Sequence, residues 1–206
     1  METNAIPQFI EFPKMPRFSR DCIITEKIDG TNACIKITED GQFLVGSRTR
    51  WITPEQDNHG FARWAYEHKD ELLTLGIGLH FGEWWGSGIQ RGYGLQKGEK
   101  RFSLFNVQRW CLNGTEPQVI PTADPRVVKM QSILPVCCGL VPILRQGPFD
   151  AISRMAESAI HELKEGGSHA SPGFMRPEGI VIFHVAGNCG FKKTIENDEQ
   201  PKSLVK

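Results

Sequence analysis

Three features that would point to common classes of protein are missing from this sequence. No apolar run approaches the length of about 20 residues that a membrane helix needs, and the N-terminus lacks the apolar core of a signal peptide. None of the six cysteines stands in a Cys-x-x-Cys pair, and the six histidines complete no zinc-binding pattern. These absences favour a cytoplasmic protein without membrane association, whose reduced cysteines pack as small apolar side chains.

An excess of charge of either sign is also absent, because 24 lysines and arginines balance 24 aspartates and glutamates. This balance argues against a protein that coats nucleic acid by bulk charge, although it leaves room for a local basic groove. The length of 206 residues suits one domain that buries its own core. We expect a single domain over 1–206, with a Pro- and Phe-rich lead-in at 1–20, a polar tail at 196–206 and no appended C-terminal domain.

One lysine stands in a short polar stretch between two β-branched runs. Residues 26–32 (EKIDGTN) separate the runs 22–25 (CIIT) and 33–38 (ACIKIT). Because Asp-Gly is a strong hairpin signal, the stretch is a turn with an exposed lysine in one interpretation, within a hairpin over 21–50. In the other interpretation the strands hold Lys27 as an amine nucleophile, and Gly30 lets the backbone approach a bulky ligand.

Charged or aromatic side chains also stand on the other predicted strands. Glu83 lies inside the apolar segment 79–86, where a carboxylate is costly to bury without a partner. The remaining candidates are Arg48 and Arg50 on one face at the end of a strand over 43–50, Phe105 in a strand over 102–107, Glu178 at the head of a strand over 178–183, and Lys192 and Lys193 in a strand over 189–195.

Two helices and one loop complete the predicted elements. Apolar residues recur at helical spacing from about Asn58 to Leu75, with Asp57 or Asn58 as a plausible cap, and from about Asp150 to Glu165. The Gly-rich, basic segment 86–101 is typical of a mobile surface loop.

This combination of side chains suits attack by a lysine amine on a phosphorus. A lysine nucleophile must be neutral, although the pKa of an exposed lysine is ordinarily about 10.4. A divalent metal held by a carboxylate such as Glu178, together with a second lysine, supplies the nearby positive charge that favours the neutral amine. The second lysine also neutralises charge that builds up on a phosphorus under attack.

In this order the motifs resemble those of the covalent nucleotidyltransferases, the superfamily of polynucleotide ligases and messenger-RNA capping enzymes. The matching segments are 26–32, 47–50, 81–84, 102–107, 177–182 and 191–193. The Glu before Lys27 and the Thr-Asn after Gly30 are most similar to the RNA ligase branch that includes bacteriophage RNA ligase 2. The resemblance implies an α+β nucleotidyltransferase (adenylyltransferase) fold, in which two mainly antiparallel sheets form a nucleotide cleft with flanking helices.

The same resemblance implies an ATP-dependent RNA ligase. Lys27 would attack the α-phosphate of ATP to form lysyl-AMP, AMP would pass to an RNA 5′-phosphate, and a 3′-hydroxyl would displace AMP to seal RNA ends or a nicked duplex. By the same resemblance, Glu26 would read the adenine amine, Phe105 would stack on adenine, and Ile28 would lie in the nucleotide pocket. Arg48 and Glu83 would hold the ribose or an RNA end, and Asn32 would place the 3′-hydroxyl. Glu178, and secondarily Glu83, would bind Mg²⁺ or Mn²⁺, and Lys192 or Lys193 would contact the α-phosphate.

Two residues depart from the family pattern. The family's last motif has two lysines separated by one residue, whereas Lys192 and Lys193 are adjacent, so only one can face the site; we favour Lys192. Asn106 stands where RNA ligases often have an aspartate.

The sequence leaves other activities open. Because the chain ends soon after the last motif, we expect either a minimal ligase or one that needs a partner protein for the sealing steps. The alternatives are a DNA ligase, a GTP-dependent capping-type enzyme, or a non-catalytic nucleotide- or RNA-binding domain.

Overall fold

The computed structural model describes residues 11–112, 116–117 and 134–198. The strands are β1 (Asp21–Lys27), β2 (Thr31–Ile37), β3 (Phe43–Ser47), β4 (Trp51–Ile52), β5 (Gly78–Gly86), β6 (Lys100–Leu104), β7 (Cys111–Leu112), β8 (Glu116–Pro117), β9 (Cys138–Leu140), β10 (Ile143–Pro148), β11 (Gly179–His184) and β12 (Cys189–Thr194). The α-helices are α1 (Phe61–Glu67), α2 (Lys69–Leu72), α3 (Val107–Trp110) and α4 (Ile152–Gly166).

Two larger sheets form the body of the described chain. One has four strands in the order β10-β1-β11-β12, and all its pairs are antiparallel. The other has six strands in the order β4-β3-β2-β5-β6-β9, and only its β6–β9 pair is parallel. The short strands β7 and β8 pair separately. The predicted α+β architecture of two mainly antiparallel sheets with flanking helices is therefore confirmed.

The predicted hairpin over 21–50 is wrong in its first half. Strand β1 belongs to the four-stranded sheet and β2 to the six-stranded sheet, so the stretch after Lys27 crosses from one sheet to the other. The second half is a hairpin, in which β2 pairs with β3 and Gly41 takes a positive φ of 82° in the turn. Because β1 ends where this crossing begins, Lys27 lies at the junction of the two sheets.

Each sheet buries one face under helices. The six-stranded sheet packs Ile35, Val45 and other apolar side chains against Phe61 and Ala65 of α1. The four-stranded sheet packs apolar side chains of β1 and β11 against α4, and the amphipathic pattern of α4 supplies Ala159 and Leu163 for this contact. The opposite faces of the two sheets are therefore left to line the space between them.

Both predicted helices exist, with different boundaries. The first begins at Phe61 and is interrupted at His68, which separates α1 from α2. Its N-cap is Gly60 instead of the predicted Asp57 or Asn58. The Asp57 carboxylate nevertheless accepts hydrogen bonds from the backbone N–H groups of Ala62 (2.7 Å) and Arg63 (3.1 Å) in the first turn. The second helix starts at Ile152, after a 3₁₀ turn over Phe149–Ala151.

The chain ends are described only in part. Residues 11–20 of the predicted lead-in are exposed, and the Phe18 ring contacts Phe149 edge-on. Residues 1–10, and residues 199–206 of the predicted tail, lie outside the described ranges. No helix among the described residues has the length and apolar character needed to cross a membrane.

Candidate active site

A cleft of about 1050 Å³ lies between the two sheets. Its lining includes almost all the side chains predicted for the site, although they are scattered along the chain. These are Glu26, Lys27, Ile28, Asn32, Arg48, Glu83, Phe105 and Lys192, together with the apolar residues Ile23, Leu79, Phe81, Val181 and Phe183. Among the predicted nucleotide- and metal-binding residues, Glu178 and Lys193 do not border this space directly.

Lys27 and Glu178 form an ion pair beside the cleft. Strand β1 pairs with β11 so that Lys27 lies opposite Gly179, which brings the preceding residue, Glu178, alongside. The Lys27 Nζ lies 2.5 Å from the Glu178 Oε2, and the carboxylate is buried. Gly179 is needed here, because its φ is 157° and a Cβ would overlap the carbonyl of Lys193. This charge-assisted hydrogen bond fixes the direction of the amine.

Glu83 finds its partners in the stretch that follows Lys27. Its Oε1 accepts a hydrogen bond from the Gly30 N–H (3.0 Å), and its Oε2 accepts one from the Asn32 Nδ2 (3.4 Å). Burial raises the pKa of Glu83 to about 7, although the charge of Lys27 and the Gly30 hydrogen bond oppose this shift. Since a Cβ at Gly30 would overlap the carbonyl of Trp84, the stretch can approach β5 only with glycine at this position.

A buried tyrosine, which the sequence analysis missed, holds the same stretch from the other side. The hydroxyl of Tyr93 accepts a hydrogen bond from the Asp29 N–H (2.9 Å) and donates one to the Lys27 carbonyl (3.4 Å). The Arg91 Nε donates to the Asp29 Oδ2 at 3.2 Å. Burial raises the pKa of Tyr93, which keeps its hydroxyl protonated and able to donate. Three side chains of the 83–93 region, those of Glu83, Arg91 and Tyr93, thus hold the nucleophile stretch.

The prediction of a surface loop over 86–101 is wrong for its central part. Ile89 and Tyr93 are buried, and Tyr93 packs against Trp85 and Phe174. No periodic pattern marks these residues, since Tyr93 sits in a single 3₁₀ turn with a positive φ of 51°. The one available signal is that a large aromatic residue stands among glycines.

Glu26 is buried, and both its carboxylate oxygens already have partners. Oε1 accepts from the Ser168 hydroxyl (2.6 Å), and Oε2 accepts from the N–H groups of His169 (2.8 Å) and Ala170 (2.9 Å). Burial raises the pKa of Glu26, while these hydrogen bonds act in the opposite direction. The adenine-reading role stays a prediction, and in this arrangement the carboxylate anchors the 168–170 segment to β1.

The adjacent lysines of β12 point in different directions. Lys192 pairs with Val181 and lines the cleft, as the favoured assignment requires. The Lys193 Nζ instead lies 3.3 Å from the Asp198 Oδ2. The alternation of side chains along a strand explains the difference.

Two strands end earlier than predicted. β3 stops at Ser47, so Arg48 and Arg50 lie in the turn before β4 and the period-two argument does not apply to them. β6 stops at Leu104, and Phe105 follows it with a side chain that is 40% exposed. Asn106 starts the next turn, where its Oδ1 accepts a hydrogen bond from the Arg109 N–H (3.3 Å).

The carboxylates of Glu178 and Glu83 suit a metal ion whose other coordination positions are filled by a bound ligand. No group of three or more His, Cys, Asp or Glu side chains with a metal-binding arrangement occurs in the described ranges. Glu178 and Glu83 interact electrostatically with each other and with Lys27. Mg²⁺ commonly binds one or two carboxylates and completes its shell with phosphate oxygens and water, so this donor set fits such an ion.

Solved structures of other proteins share this fold, although no curated protein matches the chain. Among solved structures, an archaeal ATP-dependent RNA ligase is 17% identical with a TM-score of 0.52, and the match covers 89% of this chain and 48% of the archaeal chain. A Naegleria gruberi RNA ligase mutant with ATP and Mn is 19% identical with a TM-score of 0.55, and the match covers 93% of this chain and 58% of the Naegleria chain. This chain thus spans about half the length of these relatives.

The family assignment comes from the sequence as a whole. The family model described as RNA ligase matches residues 20–195, which include every motif segment and both walls of the cleft. The chain therefore belongs to the RNA ligase family.

Proposed function

We propose that this chain performs the nucleotidyl-transfer chemistry of an ATP-dependent RNA ligase through a covalent lysyl-AMP intermediate. The single observation that carries the proposal is the Lys27 amine, held by buried Glu178 where two sheets meet at a nucleotide-sized cleft. Family membership supports the reaction class. The solved relatives support the nucleotide, since one is an ATP-dependent enzyme and others were solved with ATP and Mn or with pyrophosphate.

In the first step the Lys27 nitrogen attacks the α-phosphorus of ATP. A nitrogen–phosphorus bond forms, the bond from the α-phosphorus to the bridging oxygen breaks, and pyrophosphate leaves. The amine releases its protons to solvent, which the cleft admits because the Lys27 side chain is 22% exposed. Lys192 faces the same space and offers positive charge to the phosphate oxygens.

The remaining residues position the nucleotide. Phe105 offers an exposed ring for the adenine, and Arg48 and Asn32 lie within reach of the cleft for the ribose or an RNA end. Glu178 and Glu83 would hold a divalent metal, which supplies positive charge to the triphosphate. AMP then passes from Lys27 to an RNA 5′-phosphate, and a 3′-hydroxyl displaces AMP to seal the ends.

Self-labelling tests the first step directly. Incubation with α-³²P-ATP and Mg²⁺ should leave label on the protein in a denaturing gel, and Lys27→Ala should abolish it because no other group replaces the amine. Lys164→Ala, which changes an exposed lysine on α4, is the matched control and should keep the label. Label that persists in Lys27→Ala, or that appears with GTP alone, contradicts the proposal. Sealing is then assayed with RNA ends and with nicked duplex.

A further inference from the structure

A row of exposed aromatic side chains crosses the open face of the six-stranded sheet. The opposite face of this sheet buries its apolar side chains under α1, so the residues that alternate with these along each strand face outward. Trp51 is 53% exposed, Phe81 is 55% exposed and Phe105 is 40% exposed. Large aromatic side chains of this exposure on one sheet face form a candidate binding surface.

Strand register places these residues in line. Trp51 pairs with Gly46, Gly46 pairs with Cys34, and Cys34 pairs with Phe81. The Phe105 N–H then donates to the Phe81 carbonyl at 3.0 Å. Because neighbouring strands lie about 4.8 Å apart, the three strand steps from Trp51 to Phe81 span about 14 Å.

Gly46 lets the indole ring of Trp51 lie against the sheet. A Cβ at Gly46 would lie 2.7 Å from the Cys34 Sγ and 3.1 Å from the Trp51 Cε3. The ring therefore lies close to the glycine, while about half of the Trp51 side chain stays exposed. A flat ring presented in this way can stack on another flat ring.

Three positive charges lie close to the row. Arg48 and Arg50 are exposed in the turn that precedes Trp51, and Lys36 lies two residues from Cys34 on the same face of β2. Two nearby carboxylates are engaged within the protein, since Glu83 accepts from Gly30 and Asp40 is bonded to Thr38 and Gln42 in the β2–β3 turn, where Glu39 is exposed. An anionic chain with flat, unpaired rings complements this surface.

We propose that Trp51 and Phe81 are a stacking platform for unpaired bases of the substrate strand, so that the enzyme selects single-stranded RNA ends rather than nicked duplex. This inference rests on the proposed function. Paired bases in a duplex stack on one another and offer no free faces, whereas bases of a single strand can stack on protein aromatic rings. Phe105, at the far end of the row, is the ring predicted to stack on adenine.

Binding of a short 5′-fluorescein-labelled oligouridine with a 3′-hydroxyl tests the platform, because this RNA has no 5′-phosphate and cannot accept AMP. Anisotropy titrations at one fixed salt concentration should show binding weakened about 5- to 100-fold by Trp51→Ala and by Phe81→Ala. Trp51→Phe and Phe81→Tyr keep a ring and should bind within about twofold of the unmodified protein. Tyr66→Ala removes an aromatic side chain of similar exposure from α1, on the other side of the sheet, and should have no effect.

The outcomes separate this inference from the proposed function. Self-labelling with ATP is measured on Trp51→Ala, because Phe81 borders the cleft whereas Trp51 is not among its lining residues. Labelled Trp51→Ala protein with weakened RNA binding therefore supports the platform. Wild-type affinity for oligouridine in both alanine variants overturns it, as does an equal loss of affinity for a blunt RNA duplex. Should an alanine variant fail to fold, the unmodified protein is titrated with an oligouridine carrying 2-aminopurine. Stacking should quench its fluorescence, and unchanged fluorescence on binding overturns the platform.

Discussion

Lys27 and its neighbours show how one side chain depends on distant partners. Its amine is oriented by Glu178, which lies 151 residues further along the chain. The backbone that carries it is held by Glu83 and Tyr93. Sequence motifs marked Lys27 and Glu178 as candidates, because the types and order of such residues are typical of the family. They could not identify the Lys27–Tyr93 contact, which depends on how the segment after β5 packs.

Lys192 and Lys193 allow a matched comparison at the scale of single residues. Lys192→Ala should reduce self-labelling with ATP by at least tenfold, because Lys192 faces the cleft and can offset charge on the phosphates. Lys193→Ala should change it by less than about twofold, because this side chain pairs with Asp198 on an exposed surface, where ion pairs contribute little. Rates of label incorporation at saturating ATP provide the measurement, and the reverse order would show that Lys193 serves the site.

At the scale of elements, the sequence predicted strands and helices better than their connections. A short polar stretch between two β-branched runs has the same local pattern whether it closes a hairpin or crosses between sheets, so the pairing of β1 with β10 and β11 instead of β2 could not be read locally. The contacts of Glu26 with Ser168 and of Asp29 with Tyr93 likewise join segments that are 142 and 64 residues apart. No period in the sequence reports such contacts.

The stretch between β1 and β2 should depend on Tyr93 as a positioning residue. Tyr93→Phe removes the acceptor for the buried Asp29 N–H and should lower the free energy of unfolding by about 1–3 kcal/mol. Self-labelling should slow severalfold at saturating ATP with little change in the KM for ATP, because the amine is displaced while the nucleotide contacts remain. Urea unfolding and single-turnover labelling provide the two measurements.

The only other tyrosine supplies the control for this experiment. Tyr66 lies on α1 and is partly exposed, so Tyr66→Phe should leave both stability and labelling unchanged. A Tyr93→Phe variant that labels at the wild-type rate would show that Glu83 and Arg91 hold the stretch without the hydroxyl. A destabilised variant that labels normally would restrict Tyr93 to a role in folding.

At the scale of the whole molecule, the cleft has walls from two sheets with separate cores. One wall carries Lys27, Val181 and Lys192, and the other carries Glu83 and Phe81. The sheets are joined by the stretch after Lys27 and by a third apolar cluster that includes Ile28, Trp85 and Tyr93. A ligand that touches both walls therefore adds contacts between the two sheets.

Nucleotide binding should consequently stabilise the folded protein against heat. With Mg²⁺ and an ATP analogue whose α–β bridge cannot be cleaved, a concentration of about 100 times Kd should add about 2.7 kcal/mol, because only the folded state binds. For a chain of this size that corresponds to a rise in Tm of roughly 5–10 °C. Lys192→Ala should reduce the rise and Lys193→Ala should preserve it, since only Lys192 lines the cleft. An unchanged Tm at saturating analogue would mean that the space between the sheets does not hold the nucleotide, and the placement of Lys27 beside that space would then have to serve another ligand.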